Sequence, residues 1–190
     1  MKTTIKNEQL NFLTFGLLIK PINFRTILFL LLFIETITTY AQVSTHSALE
    51  EQVFISTLRT KEMNQGATYS NAQNLEDLIY KIQPSVYYYS GTVNTYGEKP
   101  KNLFVDVQGL TDLNNSAIQK NNIELITIKI ETPSDLDAVI DLLAFDNYSK
   151  LKYIYVLATI ETTSQHINSM IRNNNGDYEV FYKIQIGDNN

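Results

Sequence analysis

A chain of 190 residues with 44% hydrophobic content suits one globular domain plus a leader rather than several domains. Its 15 Lys and Arg against 20 Asp and Glu give a net charge of −5. An acidic balance without basic clusters argues against nucleic acid and against anionic membrane surfaces. There is no cysteine, which excludes disulfides, a lipid anchor on cysteine and thiol chemistry, and leaves stability to core packing.

Lys2, Lys6, Lys20 and Arg25 flank or precede the apolar run 27–34, and Thr39 and Ala41 then place small residues at the −3 and −1 positions of a cleavage site before Gln42. The run is too short to span a bilayer, and an earlier apolar patch at 12–19 is cut off from it by Lys20 and Pro21. Segment 1–41 therefore reads as a long secretory signal peptide, the alternative being an uncleaved N-terminal anchor. Residues 42–190 are expected to form a single α/β domain in the periplasm, on the cell surface or outside the cell, with no membrane span after cleavage. The leader carries four basic and two acidic residues, so the remainder holds 11 Lys and Arg against 18 Asp and Glu, about −7.

Ser47 with Glu50 three residues on reads as a capping box, and Leu49, Val53, Phe54 and Leu58 make an apolar stripe, so the domain begins with a helix. Stretch 64–74 is polar and reads as a loop. A second helix over 75–82 ends ahead of Pro84. Val86 to Tyr89 follows as a strand, and 91–100, with Gly91, Gly97 and Pro100, as a turn-rich link that is either a hairpin loop or a repeat without a helix. A short strand at 103–107 precedes a polar stretch at 112–122 with one helical turn near Ala117.

Three stronger strands come next. In 123–131, Ile126, Ile128 and Ile130 are expected to point inward and to alternate with the outward Thr127 and Lys129. In 151–161, Ile154, Val156 and Ala158 share one face and Tyr153, Tyr155 and Leu157 the other, both largely apolar, as in a strand covered on both sides. In 178–186, Val180, Tyr182, Ile184 and Ile186 share a face. Leu136, Val139, Ile140 and Leu143 stand at helical spacing between the first two, with Ser134 and Asp137 as a capping box. Ile167, Met170 and Ile171 do so in 164–172, which stops at the turn of Asn173 to Gly176. Strands alternating with helices predict a parallel sheet, and starts near 103, 125, 151 and 178 recur every 22 to 27 residues, the range of short βα solenoid units.

Leu151, Ile154 and Val156, like Leu125, Ile128 and Ile130, match the L-x-x-L-x-L strand signature of leucine-rich repeats. Residues 74–80 followed by 86–89 look like the helical cap and first strand of such proteins. Over about 70–186 the chain thus resembles a degenerate leucine-rich-repeat-like βα protein of Bacteroidetes type. The family's buried Asn position falls on Thr159 and Pro133. The resemblance implies a short right-handed βα array; the residues themselves fit a small parallel sheet with helices equally well.

No catalytic constellation is legible. His46 and His166 have no nucleophile beside them in sequence, no Cys pair or H-x-x-x-H offers a zinc site, and no Gly-rich loop offers a phosphate site. Asp135, Asp137 and Asp141 read as acids on the polar side of a helix rather than as calcium ligands. Neither a metal nor a cofactor is expected.

One feature carries recognition. Were the strands parallel and aligned, the face opposite the aliphatic one would present Phe104 and Asp106, Thr127 and Lys129, Tyr153 and Tyr155, then Phe181 and Lys183. Rings interleaved with polar groups suit a protein, peptide or glycan of the cell envelope. Alternatively, a second layer of helices covers the row and makes the tyrosines core. The expectation is an exported, non-enzymatic binding module; the alternative is a small periplasmic hydrolase whose carboxylates converge only in the fold. The last strand, if at the sheet edge, is a site for self-association.

Overall fold

β-branched and aromatic alternation drives five segments into one parallel sheet. The computed structural model describes residues 46–65, 71–114 and 117–187. These residues belong to the compact unit Ser44–Asn190; the expected signal peptide lies outside them. The strands are β1 (Leu49–Glu50), β2 (Ser85–Tyr89), β3 (Thr92–Tyr96), β4 (Asn102–Asp106), β5 (Leu125–Ile130), β6 (Ile140–Asp141), β7 (Tyr153–Ala158), β8 (Ile171–Arg172) and β9 (Glu179–Ile184). The helices are α1 (Glu51–Gln65), α2 (Asn71–Tyr80) and α3 (Ser164–Met170). Seven strands form the main sheet in the order β1-β9-β7-β5-β4-β2-β3, and β6 pairs with β8 apart from it. From β2 to β9 the parallel strands are laid down in chain order, each beside the last.

The two faces of the sheet are filled differently. Leu103, Val105, Ile126, Ile128, Ile154, Val156 and Val180 belong to one core cluster, which the connectors complete from the same side with Leu113, Ile123, Phe145, Ile167 and Met170. The second cluster lies on the opposite face, where Phe54 and Ile55 of α1 and Leu75 and Leu78 of α2 meet Leu125, Tyr153, Tyr155 and Phe181. β7 is therefore buried on both sides, as its two apolar faces require.

The helix expected around Leu136, Val139, Ile140 and Leu143 does not form. Pro133–Asp137 and Leu142–Phe145 are single 3-10 turns with β6 between them. Strands stand ~4.8 Å apart and two α-helices side by side roughly 8–10 Å, so consecutive helical connectors on one side fit only where the sheet curves. With α3 in the next connector, the one before it runs extended, and Ile140 pairs with Ile171. Val139 and Leu143 are left exposed. The capping box sits two residues earlier than expected, on Thr132 and Asp135. Burial opposes ionisation of Asp135, yet the N–H groups of Glu131 and Thr132, at 2.9 and 2.8 Å, hold its carboxyl below the usual value.

Other boundaries shift for local reasons. At α1 the Glu50 carboxylate accepts from the N–H groups of Gln52 and Val53, so Glu50 rather than Ser47 caps the helix. Phe54, Ile55 and Leu58 face inward, while Leu49 and Val53 are exposed. α2 begins at Asn71 and ends at Tyr80. The link 91–100 is a hairpin: Ser90 (φ 49) and Gly91 (φ 77) form a two-residue turn of the primed kind, which returns β3 antiparallel to β2. Gly97 (φ 78) faces Pro84 so closely that a Cβ would lie 3.0 Å from the Pro84 Cβ. Near Ala117 a 3-10 turn, Lys120–Asn122, replaces the expected helical turn; residues 115–116 lie outside the described ones. β9 is not the outermost strand, because β1 pairs with it at Phe181 and Tyr182. β1 thus covers the outer edge of β9 at those two residues, so the expected self-association site is not a free outermost strand.

Candidate binding face

Strand registers align the face opposite the connectors in rows. Tyr87, Phe104, Thr127, Tyr155 and Phe181 lie abreast. Asp106, Lys129, Leu157 and Lys183 form the next row. The expected row of Phe104, Asp106, Lys129, Tyr153, Tyr155, Phe181 and Lys183 thus does share one face, but α1 and α2 divide it into a covered and an open part.

The covered part is core. Tyr153, Tyr155 and Phe181 are buried beneath α1, which corrects their expected presentation to a ligand. Phe181 is stacked between Phe54, with ring centroids 5.0 Å apart, and Tyr155, at 4.8 Å. Rings of this size offer a large apolar area, and α1 packs on it. Glu51, wholly buried in the first turn of α1, accepts hydrogen bonds from the Tyr155 and Tyr80 hydroxyls. The Lys183 ammonium stands 3.5 Å from its Oε1. Lys183 is thereby held by the helix layer and is not offered to a ligand.

Burial leaves a measurable signature in these phenols. Tyr153 is raised from the ordinary value of 10.0 to about 12, by burial first and then by Glu179, Glu62 and Glu124. Tyr80 also rises to about 12 through burial and Glu51. A folded-state pKa above the unfolded one means stability is fully present below pH ~10 and is lost as pH climbs through about 12. In an alkaline titration followed at the phenolate absorbance, Tyr153 is expected to stay silent past pH ~10 until the fold gives way. A full complement of phenolates appearing near that pH with the fold intact would contradict the packing of α1.

The open part lies toward β3. Tyr87 stacks on Phe104 at 4.8 Å and meets Tyr96 edge-on at 5.6 Å. Lys129 sits 5.5 Å from the Tyr89 ring centroid and 3.5 Å from the Glu131 carboxylate, a cation held between a ring and an anion. Asp106 is a brace: its oxygens accept from the N–H groups of Ser90 and Gly109 at 2.9 and 2.7 Å, tying the hairpin turn to the β4 connector. The Tyr89 hydroxyl is buried and has no hydrogen-bond partner among the described residues. Burial, and then Glu131, push its pKa well upward.

Beside these rings a groove of about 540 Å³ runs between the end of α2 and the hairpin. Tyr87, Tyr89 and Tyr96 give it aromatic walls, and Ile82, fully exposed, gives it an apolar rim. Gln83, Ser85 and Asn94 supply amide and hydroxyl groups, and no charged side chain lines it. Phe104, Asp106 and Lys129 therefore border the open face, whereas Tyr87, Tyr89, Tyr96, Ile82 and Asn94 were missed by sequence reasoning. The available signal was the β-branched, aromatic stretch Thr92–Tyr96 behind a Ser-Gly turn, which marks a second hairpin strand.

A smaller recess of about 320 Å³ below α1 mixes Lys61 and Lys152 with Glu62 and Glu179 and offers no ring surface except Tyr153, which is core. The His166 ring nitrogen lies 3.1 Å from the Leu136 carbonyl, a backbone contact. Among the described residues no cluster of three or more metal-ligating side chains occurs, and no helix is long and apolar enough to cross a membrane. No family model, curated protein or solved structure matches the chain.

Proposed function

We propose that the chain is an exported, non-enzymatic binding module that holds an uncharged stretch of glycan or peptide in the groove beside β3. The observation that carries this reading is the groove's lining: three tyrosine rings and Ile82 with amides and a hydroxyl, and no charge. Ring faces take the C–H faces of sugars or apolar side chains, while amides fix orientation. Export rests on the leader read from the sequence. The succession of parallel strands in chain order supports the likeness to a leucine-rich-repeat array. For the hydrolase alternative, the carboxylates beside the rings on this face are Asp106, whose oxygens are occupied by backbone donors, and Glu131, which stands 3.5 Å from the Lys129 ammonium.

The test is a titration of the full chain by NMR with two panels, neutral oligosaccharides and uncharged peptides. Binding is expected to shift signals of Tyr87, Tyr89 and Tyr96. Tyr96→Ala and Ile82→Ser are expected to weaken it at least tenfold while changing folding stability by no more than ~0.5 kcal/mol, because both side chains are exposed. Binding that survives both substitutions, or hydrolysis of the added oligosaccharide, defeats the reading.

A further inference from the structure

Strand β3 is the outermost strand of the main sheet at its hairpin end among the described residues. At the opposite end, β1 is only two residues long. Proteins usually blunt an outer strand with a charge, a proline, a bulge or short length. Thr92–Tyr96 has five residues, no charge and no proline, and pairs with β2 residue for residue without a bulge. Its backbone is an unguarded template.

The hairpin register decides which backbone groups are free. A two-residue turn makes Tyr89 and Thr92 the hydrogen-bonded closing pair. Alternation then assigns Asn94 and Tyr96 to bonds with β2, opposite Tyr87 and Ser85. Val93 and Thr95 are left with N–H and C=O directed away from the sheet. Two such strands can meet antiparallel about a two-fold axis through Asn94, so that Val93 of each copy exchanges both backbone bonds with Thr95 of the other. The pattern is its own complement, as a two-fold interface requires. Charge favours the same place: the chain carries a net −5, so two copies repel, and β3 brings no charged side chain to the contact.

We propose that this protein forms a two-fold dimer by antiparallel pairing of β3 with β3 in a second copy, centred on Asn94. The partner is a second copy of the chain. Pairing in the plane of the sheet leaves the ring-bearing face open. It also places the two Asn94 amides together and lets the two grooves meet across the axis, so the inference does not depend on which ligand the groove takes.

The absence of native cysteine makes the register directly testable. In a non-hydrogen-bonded antiparallel pair the Cα atoms lie ~4.5 Å apart, within disulfide reach. Asn94→Cys in the full chain is therefore expected to cross-link to its own copy at least tenfold faster than Thr92→Cys, whose opposite residue in this register is Tyr96. Thr95→Pro removes an outward N–H without touching the β2 ladder. Added to Asn94→Cys, it should return the rate to that of Thr92→Cys, with circular dichroism confirming the fold. Sedimentation of the unaltered chain should show a dimer. Equal cross-linking at positions 92 and 94, or a monomer throughout sedimentation, overturns the proposal; the cross-linking ratio decides even if the proline variant does not fold.

Discussion

Phe181→Ala is expected to remove about 4 kcal/mol of folding stability, read as a fall in the urea midpoint at unchanged slope. The ring is fully buried and stands between two others, parallel to Phe54 at an interplanar angle of 8° and to Tyr155 at 19°. Truncation loses the transfer free energy of the ring and leaves a void that α1 cannot collapse into, because β1, immediately before α1, is hydrogen-bonded to β9 at this same residue. A loss below ~1.5 kcal/mol would show that α1 does not cover this half of the sheet, and the open binding face would then be larger than described. Tyr96→Ala serves as the contrast, since its side chain faces solvent.

Glu51→Ala is expected to cost about 3 kcal/mol, the range for removing one partner from a buried charged network. The carboxylate is wholly buried and accepts from two phenols, with the Lys183 ammonium 3.5 Å away. Without it the Tyr155 hydroxyl is stranded under α1, while Tyr80, more than half exposed, rehydrates. Lys183 is about one-third exposed on its side chain and recovers part of its hydration, which holds the cost to the lower end of that range. Glu51→Gln keeps an oxygen acceptor for one phenol and should cost roughly half as much. Urea unfolding of the two variants and of Tyr155→Phe measures this; a neutral Glu51→Ala would mean that the carboxylate is not what seats the helix.

Strand parity was legible because it is a local property. Ile126, Ile128 and Ile130 alternate with Thr127 and Lys129 as expected, but Thr127, expected to point outward, is buried. Parity names the residues that share a face, not what lies over them, so Tyr153 and Tyr155 were grouped correctly with Phe104 and yet lie under a helix. Spacing at i, i+3, i+4 and i+7 suggested a helix at Leu136 to Leu143. There the segment pairs instead with Ile171 and Arg172, a tertiary contact with no trace in the window, and forms two 3-10 turns and a strand. Glu51 reads in sequence as an ordinary first-turn acid. Its burial depends on Tyr155, 104 positions away.

Pairing of β1 with β9 also sets the order in which the molecule can be completed. Glu51 and Lys183 are 132 positions apart, so the two ends of the domain meet only through the longest loop closure available to it. Bringing such distant segments together costs on the order of 4 kcal/mol in chain entropy, and topologies rich in distant contacts fold slowly. During synthesis Leu75, Leu78 and Tyr155 can meet α1 early, but the Phe181 ring on which Phe54 stacks arrives only with β9. A chain interrupted before Glu179 has no seat for Phe54. It is the nascent protein, rather than the finished one, that shows these rings to its surroundings.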